Sequence, residues 1–257
     1  MTQQTVTATP SGVDRGGGAD PGGGLGGPAL VVTSLVDALV EDLRTRVVTG
    51  ALAPGQALTE AEVAARYDVA RASARAAIER LTAEKVLVRR NHKTARVVAL
   101  GPEDVRDIYR TRTFLESEVL RRLAARRAVP QAARDANAEI AALWAAGSWL
   151  VVEPDMRFHT SLVDSLGSQR TSAMYHSLAF EVRLCMAQLQ GRHGLSPDLI
   201  VAEHARLLEL IEAGDGPGAA AMLDEHLARA RELLAASLGG VAGPEAAVPS
   251  SALRPGD

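Results

Sequence analysis

Between Pro102 and Leu238 the apolar residues recur every three or four positions almost without pause. Val105, Ile108, Tyr109, Leu115, Val119 and Leu123 set the rhythm at the start, with Phe114 off it by a step. A period near 3.6 marks amphipathic helices, whose apolar stripes must be buried against one another. Turn-forming residues interrupt the rhythm at Gly167-Ser168, Gly191-Arg192-His193-Gly194 and Gly214-Asp215-Gly216-Pro217. Pro102 suits the first turn of a helix, with Glu103 and Asp104 favourable near its N-terminus, and Pro130 starts the next. The pattern predicts helices at about 102–127, 130–146, 154–166, 169–190, 197–213 and 217–238. Short connections make an antiparallel bundle their natural packing. No strand–helix alternation occurs, so a parallel sheet is excluded.

Composition agrees with a helical reading. Of the 257 residues 47% are apolar but only 3% aromatic, enough for one large core or two modest ones and too few rings for an aromatic-rich sandwich. The single cysteine, Cys185, forms no internal disulfide, which suits a reducing cytosol. No run of about 18 apolar residues appears, so no membrane span is expected. Residues 1–29 hold nine glycines and three prolines and read as a disordered tail without the pattern of a secretory signal. Residues 239–257, again rich in Gly, Pro and Ala, read as a second disordered tail. A soluble, cytoplasmic protein is expected.

The overall net charge of −3 argues against a nucleic-acid partner only until it is divided along the chain. Residues 30–100 carry 11 Lys/Arg against 8 Asp/Glu, whereas residues 101–257 carry 16 against 21. Within 65–100 the balance is 9 to 3, so a basic segment adjoins an acidic domain. In that segment Val36, Leu39, Val40, Leu43 and Val47 predict a helix over 34–49, ended by Gly50. Thr59 and Glu62 form a capping-box pattern for a short helix to about Arg66, broken by Tyr67-Asp68. A third helix over 71–84 buries Ala74, Ala77, Ile78 and Leu81 and leaves Arg71 and Arg75 on its outward flank. Val86–Val88 and Ala95–Val98 then read as a hairpin around a polar, basic tip. Three helices and a basic hairpin make a winged helix-turn-helix, in which the third helix enters the major groove of DNA and the hairpin reaches the backbone or minor groove. Arginine suits both tasks, because its fork pairs with guanine or clamps a phosphate.

These residues also resemble the DNA-binding domain of the GntR family. The resemblance rests on Gly50-Ala51-Leu52-Ala53-Pro54-Gly55, on Leu58-Thr59-Glu60 with Val63-Ala64, and on Arg71 and Arg75 ahead of Ala77-Ile78 and Leu81. It implies DNA contacts from Arg71, Arg75 and Ser73 on the third helix, from Lys93 and Arg96 on the wing, and from Arg66. Departures from the family pattern are Ala70 in place of a capping Ser, Ser73 in place of Pro, Ala76 in place of Glu, and Thr94 where the wing has Gly. Loss of the Ser cap costs about 1 kcal/mol at such a helix.

In the acidic domain, Asp155 and His159 lie four residues apart and so share a helix face. Taken alone, Asp-x-x-x-His is more often a helix-surface pair. His204 and His226, however, each fall among apolar neighbours, where an unpaired imidazole is costly to bury. Together the four side chains offer three nitrogens and one oxygen, a set suited to a divalent transition metal, Zn, Ni, Mn or Fe. A satisfied polar core without an ion remains the alternative.

This layout resembles the FCD effector domain of the FadR subfamily. The matching motifs are Asp155-Met156-Arg157-Phe158-His159, Glu203-His204, His226 on the last helix, and Arg112-Thr113-Phe114-Leu115-Glu116. The resemblance implies that Asp155, His159, His204 and His226 are metal ligands and that Arg112 closes on a small carboxylate effector. Arg183 is a second candidate for that role, because its helix is expected to line the same cavity. Domain limits of 30–100 and 101–238 follow. The function implied is a homodimeric, ligand-responsive transcriptional repressor on a palindromic double-stranded operator, since one winged helix reads too few base pairs alone. The competing readings are a regulator with a metal-independent pocket and a metal-dependent hydrolase. The hydrolase lacks an H-E-x-x-H motif, and Glu203 is expected to point off the ligand face.

Overall fold

The computed structural model describes residues 34–89, 94–147, 150–189 and 194–241. Both expected tails, residues 1–29 and most of 239–257, lie outside them. So does the wing tip with Arg90, His92 and Lys93.

Helix α1 (Leu35–Val48) opens on a capping box in which the Ser34 hydroxyl accepts from the Asp37 amide and Asp37 accepts from the Ser34 N–H. It buries Leu39, Val40, Leu43 and Val47. Strand β1 (Ala57–Leu58) leads into α2 (Glu60–Tyr67), where Thr59 and Glu62 make the second box, and Asp68 ends the helix in the left-handed region at φ 50°. Helix α3 (Arg71–Ala83) buries Ala74, Ala77, Ile78 and Leu81, and Ala70 offers its N-terminus no side-chain cap. The hairpin is β2 (Leu87–Val88) with β3 (Ala95–Val97). β1 adds to the other edge of β3, giving the order β1-β3-β2 with Ala57 opposite Arg96 and Leu87 opposite Val97. That third strand has no counterpart in the sequence reading, because two residues are too few to show a period of two.

The helical domain comprises α4 (Pro102–Arg126), α5 (Gln131–Ala145), α6 (Val152–Asp164), α7 (Gln169–Leu189), α8 (Pro197–Ala213) and α9 (Gly216–Ser237). Each boundary falls within about two residues of the periodic pattern, as caps and short connections allow. α4 packs along α9, and α5 packs against α6 and α8. Phe114, off the stripe of α4, is 78% exposed. Gly239 to Val241 continue past α9 in contact with the domain: Gly240 N–H donates to the Ala235 carbonyl, and Arg106 donates to the Val241 carbonyl. No helix among the described residues is long and apolar enough to cross a membrane.

α7 belongs to two cores at once. Val182, Cys185, Met186 and Leu189 pack into the helical domain. Leu184, with Phe180 beside it, packs into the core formed by α1, α3 and the small sheet. One turn further on, the Gln188 amide holds the Leu100 peptide by both groups, accepting from its N–H at 2.9 Å and donating to its carbonyl at 3.0 Å. A single helix thus ties the DNA-binding half to the helical half.

Candidate metal centre

Three helices converge on one point. α6 brings Asp155 and His159 from successive turns, α8 brings His204 and α9 brings His226. One ligand atom from each lies within 4.8 Å of every other. The imidazole centroids are 5.0 to 5.5 Å apart. His159 and His204 are fully buried, and Phe158 stacks flat on His204 at 3.6 Å, fixing its plane. His159 Nε2 and both nitrogens of His204 have no hydrogen-bond partner. The closest polar approach, His204 Nε2 to Asp155 Oδ1 at 3.6 Å, is too long for one. Buried polar atoms left this way cost free energy unless something satisfies them. A divalent ion held by three nitrogens and a carboxylate oxygen satisfies His159 Nε2 and one nitrogen of His204, and the residues present fit one.

The surroundings orient the ligands. Glu116 Oε2 lies 2.6 Å from His159 Nδ1, and Glu203 Oε2 lies 2.7 Å from His226 Nδ1. An ionised carboxylate there calls for the proton on Nδ1, which turns the Nε2 lone pair inward. Each glutamate is itself held by an arginine on its other oxygen. Arg112 Nε donates to Glu116 Oε1 at 2.9 Å, joined by the Tyr175 hydroxyl at 2.6 Å, and Arg229 Nη1 donates to Glu203 Oε1. Burial works to raise the Glu116 pKa, but His159 and Arg112 beside it hold it well below the usual carboxylate range. Burial, with the His226 and His159 rings nearby, holds His204 well below the usual histidine range. Burial lowers His159 too, against the pull of Glu116. Neutral imidazoles are the form a metal needs.

Beside the four ligands lies a cavity of about 50 Å³ whose lining includes Tyr109, Arg112, Asp155, His226 and Arg229. Arg112, the first effector candidate, is 2% exposed and lies over the Tyr109 ring at 4.8 Å. Arg183, the second, does not line this cavity. Its helix does so through Met186, one turn later, while Arg183 Nε donates to Glu153 on α6 at 2.9 Å. The cavity's second arginine is Arg229, three residues after His226 and on the same flank of α9. Glu203 also corrects the sequence reading. Next to His204 it was expected to point off the ligand face, yet it is 7% exposed and bridges His226 and Arg229. Residues one apart differ by about 100° around a helix, and both can face inward when two neighbours pack along the same seam. Both of its oxygens are engaged, Oε2 with His226 and Oε1 with Arg229.

On the N-terminal domain Arg71 and Arg75 are exposed on α3, with Ser73 half-buried between them. Arg75 Nε donates to Glu79 at 2.8 Å. Arg71 shares a hollow with Arg89 and Thr94 of the wing, whereas Arg66 lines a separate one with Arg46 and Tyr67. Arg96, exposed on β3, donates to the Gly55 carbonyl at 2.9 Å. Arg89, 3.7 Å from Glu60, lines the same hollow as Arg71, a neighbour the sequence pattern does not reveal.

Comparison with known proteins accounts for both halves. Residues 35–97 match the bacterial regulatory proteins of the gntR family, and residues 107–229 match the FCD domain. The uncharacterized HTH-type transcriptional regulator BphR of Paraburkholderia xenovorans (strain LB400) is 31% identical over 113 residues, 44% of this chain and 46% of that protein. The gluconate operon transcriptional repressor of Bacillus subtilis (strain 168) is 35% identical over 82 residues, 32% of this chain and 33% of that one. The chain therefore spans less than half the length of these curated relatives. The crystal structure of a GntR transcriptional regulator from Rhodococcus sp. RHA1 shares the fold, with a TM-score of 0.67 at 21% identity, covering 77% of this chain and 96% of that one. Family and fold point to a DNA-binding transcription regulator rather than an enzyme. The chain thus carries a DNA-binding domain of the gntR family at residues 35–97, followed by an FCD domain at residues 107–229.

Proposed function

We propose that the protein is a homodimeric repressor that binds a palindromic DNA operator and responds to a small carboxylate at a metal site formed by Asp155, His159, His204 and His226. The observation that carries this reading is the convergence of four ligand atoms within 4.8 Å, with His159 Nε2 and both His204 nitrogens unpartnered, behind a DNA-binding domain. Arg71, Ser73 and Arg75 present the α3 face to the major groove, and Arg96, Lys93 and Arg66 serve the phosphates. When bound, the ion supplies a positive, oxygen-seeking point for a carboxylate. Glu116 and Glu203 hold His159 and His226 in the ligating tautomer, and Arg112 faces the acid. The resulting change reaches the DNA-binding domain through α7, whose Met186 lines the cavity while Leu184 and Gln188 grip the N-terminal half and its linker. To regulate, the acid must favour one arrangement of the two halves over another.

Two variants test the reading. His159→Ala should lose the metal found in the purified parent by elemental analysis; equal content would refute the site. Arg71→Ala should keep its metal and its helical circular dichroism but lose the specific operator footprint. A footprint unchanged from the parent's would refute the DNA face.

A further inference from the structure

The charges around the cavity define the acid more narrowly than the metal site does. Among the described residues that line it or bond to its lining, the fixed charges are Arg112 and Arg229 against Asp155, Glu116 and Glu203. That balance is one negative charge, because imidazoles that ligate a metal are neutral. A divalent ion turns it into one positive charge. One carboxylate closes the sum to zero, and a second would leave an unmatched negative charge beside three carboxylates already there, where it is expensive. The donors that remain agree with one anionic head. Arg112 Nη2 and Arg229 Nε are buried without partners, and their residues are 2% and 6% exposed. Tyr109 and Ser196 add hydroxyls at its edge, and most of the rest of the wall is hydrocarbon: Met186, Leu199, Ile200, Leu227, Ala230 and Leu233. Beyond Arg112 and Arg229, the described lining residues offer no cation to pair with a distal carboxylate.

We infer that the effector is a monocarboxylate with a short hydrocarbon body, its head drawn to the ion and the two arginines and its body laid against the Met186–Leu233 wall. The inference rests on the metal-dependent reading above and specifies its ligand. It also makes Arg229, rather than Arg183, the second arginine that recognises the acid. Lengthening the body by one methylene should tighten binding about fourfold until the cavity is full.

The test is titration calorimetry on the full chain loaded with Zn2+, using butyrate against succinate, hexanoate against adipate, and gluconate. Butyrate and hexanoate should each bind at least tenfold more tightly than the diacid of equal length, and gluconate should bind more weakly than either. Leu199→Arg adds a cation to the hydrocarbon wall and should reverse the order of butyrate and succinate. Succinate or gluconate binding the parent as tightly as butyrate overturns the inference and leaves the metal–carboxylate reading in place. So does an unreversed order in folded, metal-loaded Leu199→Arg. Failure of all five acids to bind the loaded protein, or binding that survives chelation unchanged, overturns that reading and the inference with it.

Discussion

Arg112–Glu116 in α4 and Arg75–Glu79 in α3 are the same pair covalently: an arginine four residues ahead of a glutamate, with Nε donating at 2.9 and 2.8 Å. Their surroundings are opposite. The first pair has side chains 2% and 3% exposed, the second 64% and 52%. In water the attraction is offset by hydration and by the entropy of holding two long side chains, so an exposed pair contributes little and exchanges partners readily. That suits the DNA-facing role proposed for Arg75. In the interior, neither charge can return to water, and removing one partner strands the other. The buried pair therefore fixes Glu116, which in turn fixes His159. On the proposed function, the two halves of the molecule use one local motif for opposite ends, one to keep a cation available and one to hold a ligand still.

The sharpest way to break this comparison is to cut both pairs identically. Arg112→Ala should destabilise the protein by about 3–5 kcal/mol, measured by urea denaturation of the full chain, because Glu116 is left charged and buried. A loss no greater than an exposed pair gives would mean that water reaches Glu116 freely. Arg75→Ala should leave the denaturation midpoint where it was, and its effect should appear only with DNA. If the arginine contacts a base, operator affinity falls by about 5- to 150-fold at fixed salt while non-specific binding changes far less. Affinity that falls equally for all sequences would assign Arg75 to phosphate instead.

The helices of both halves were legible because amphipathic periodicity is a local property. So was the Asp155–His159 pair, whose spacing alone places both side chains on one face. What the sequence withheld was everything that depends on which helix lies beside which. Glu203 was set aside because adjacent residues diverge around a helix, and only the approach of α9 brings it to His226. Arg229 carried a signal, three residues after a candidate ligand, but nothing local told it apart from an exposed cation such as Arg206. Arg183 was misplaced for the same reason in reverse: its helix does line the cavity, and Glu153 draws its guanidinium elsewhere. Glu116 was visible as part of a motif, yet its task as the partner of His159 required α4 and α6 to be packed.

The smallest expected effect concerns the end of the helix that carries Arg71 and Arg75. α1 and α2 both open on complete capping boxes, whereas α3 opens on Ala70, with no side-chain hydrogen bond and no acid in its first turn. The backbone at Ala70 already has the extended N-cap conformation, φ −62° and ψ 143°, so only the hydroxyl is missing. Ala70→Ser should therefore stabilise the protein by about 1 kcal/mol. For a folded region of this size that is about 2–4 °C in Tm by calorimetry. The gain should come without new interactions elsewhere, because Ala70 is exposed and borders no core residue of the helical domain. Operator affinity decides what the gain means. If it stays constant, the uncapped amides serve only the fold. A fall in affinity alongside the rise in Tm would mean that those N–H groups are left open for a DNA phosphate, and that α3, unlike α1 and α2, gives up stability for its partner.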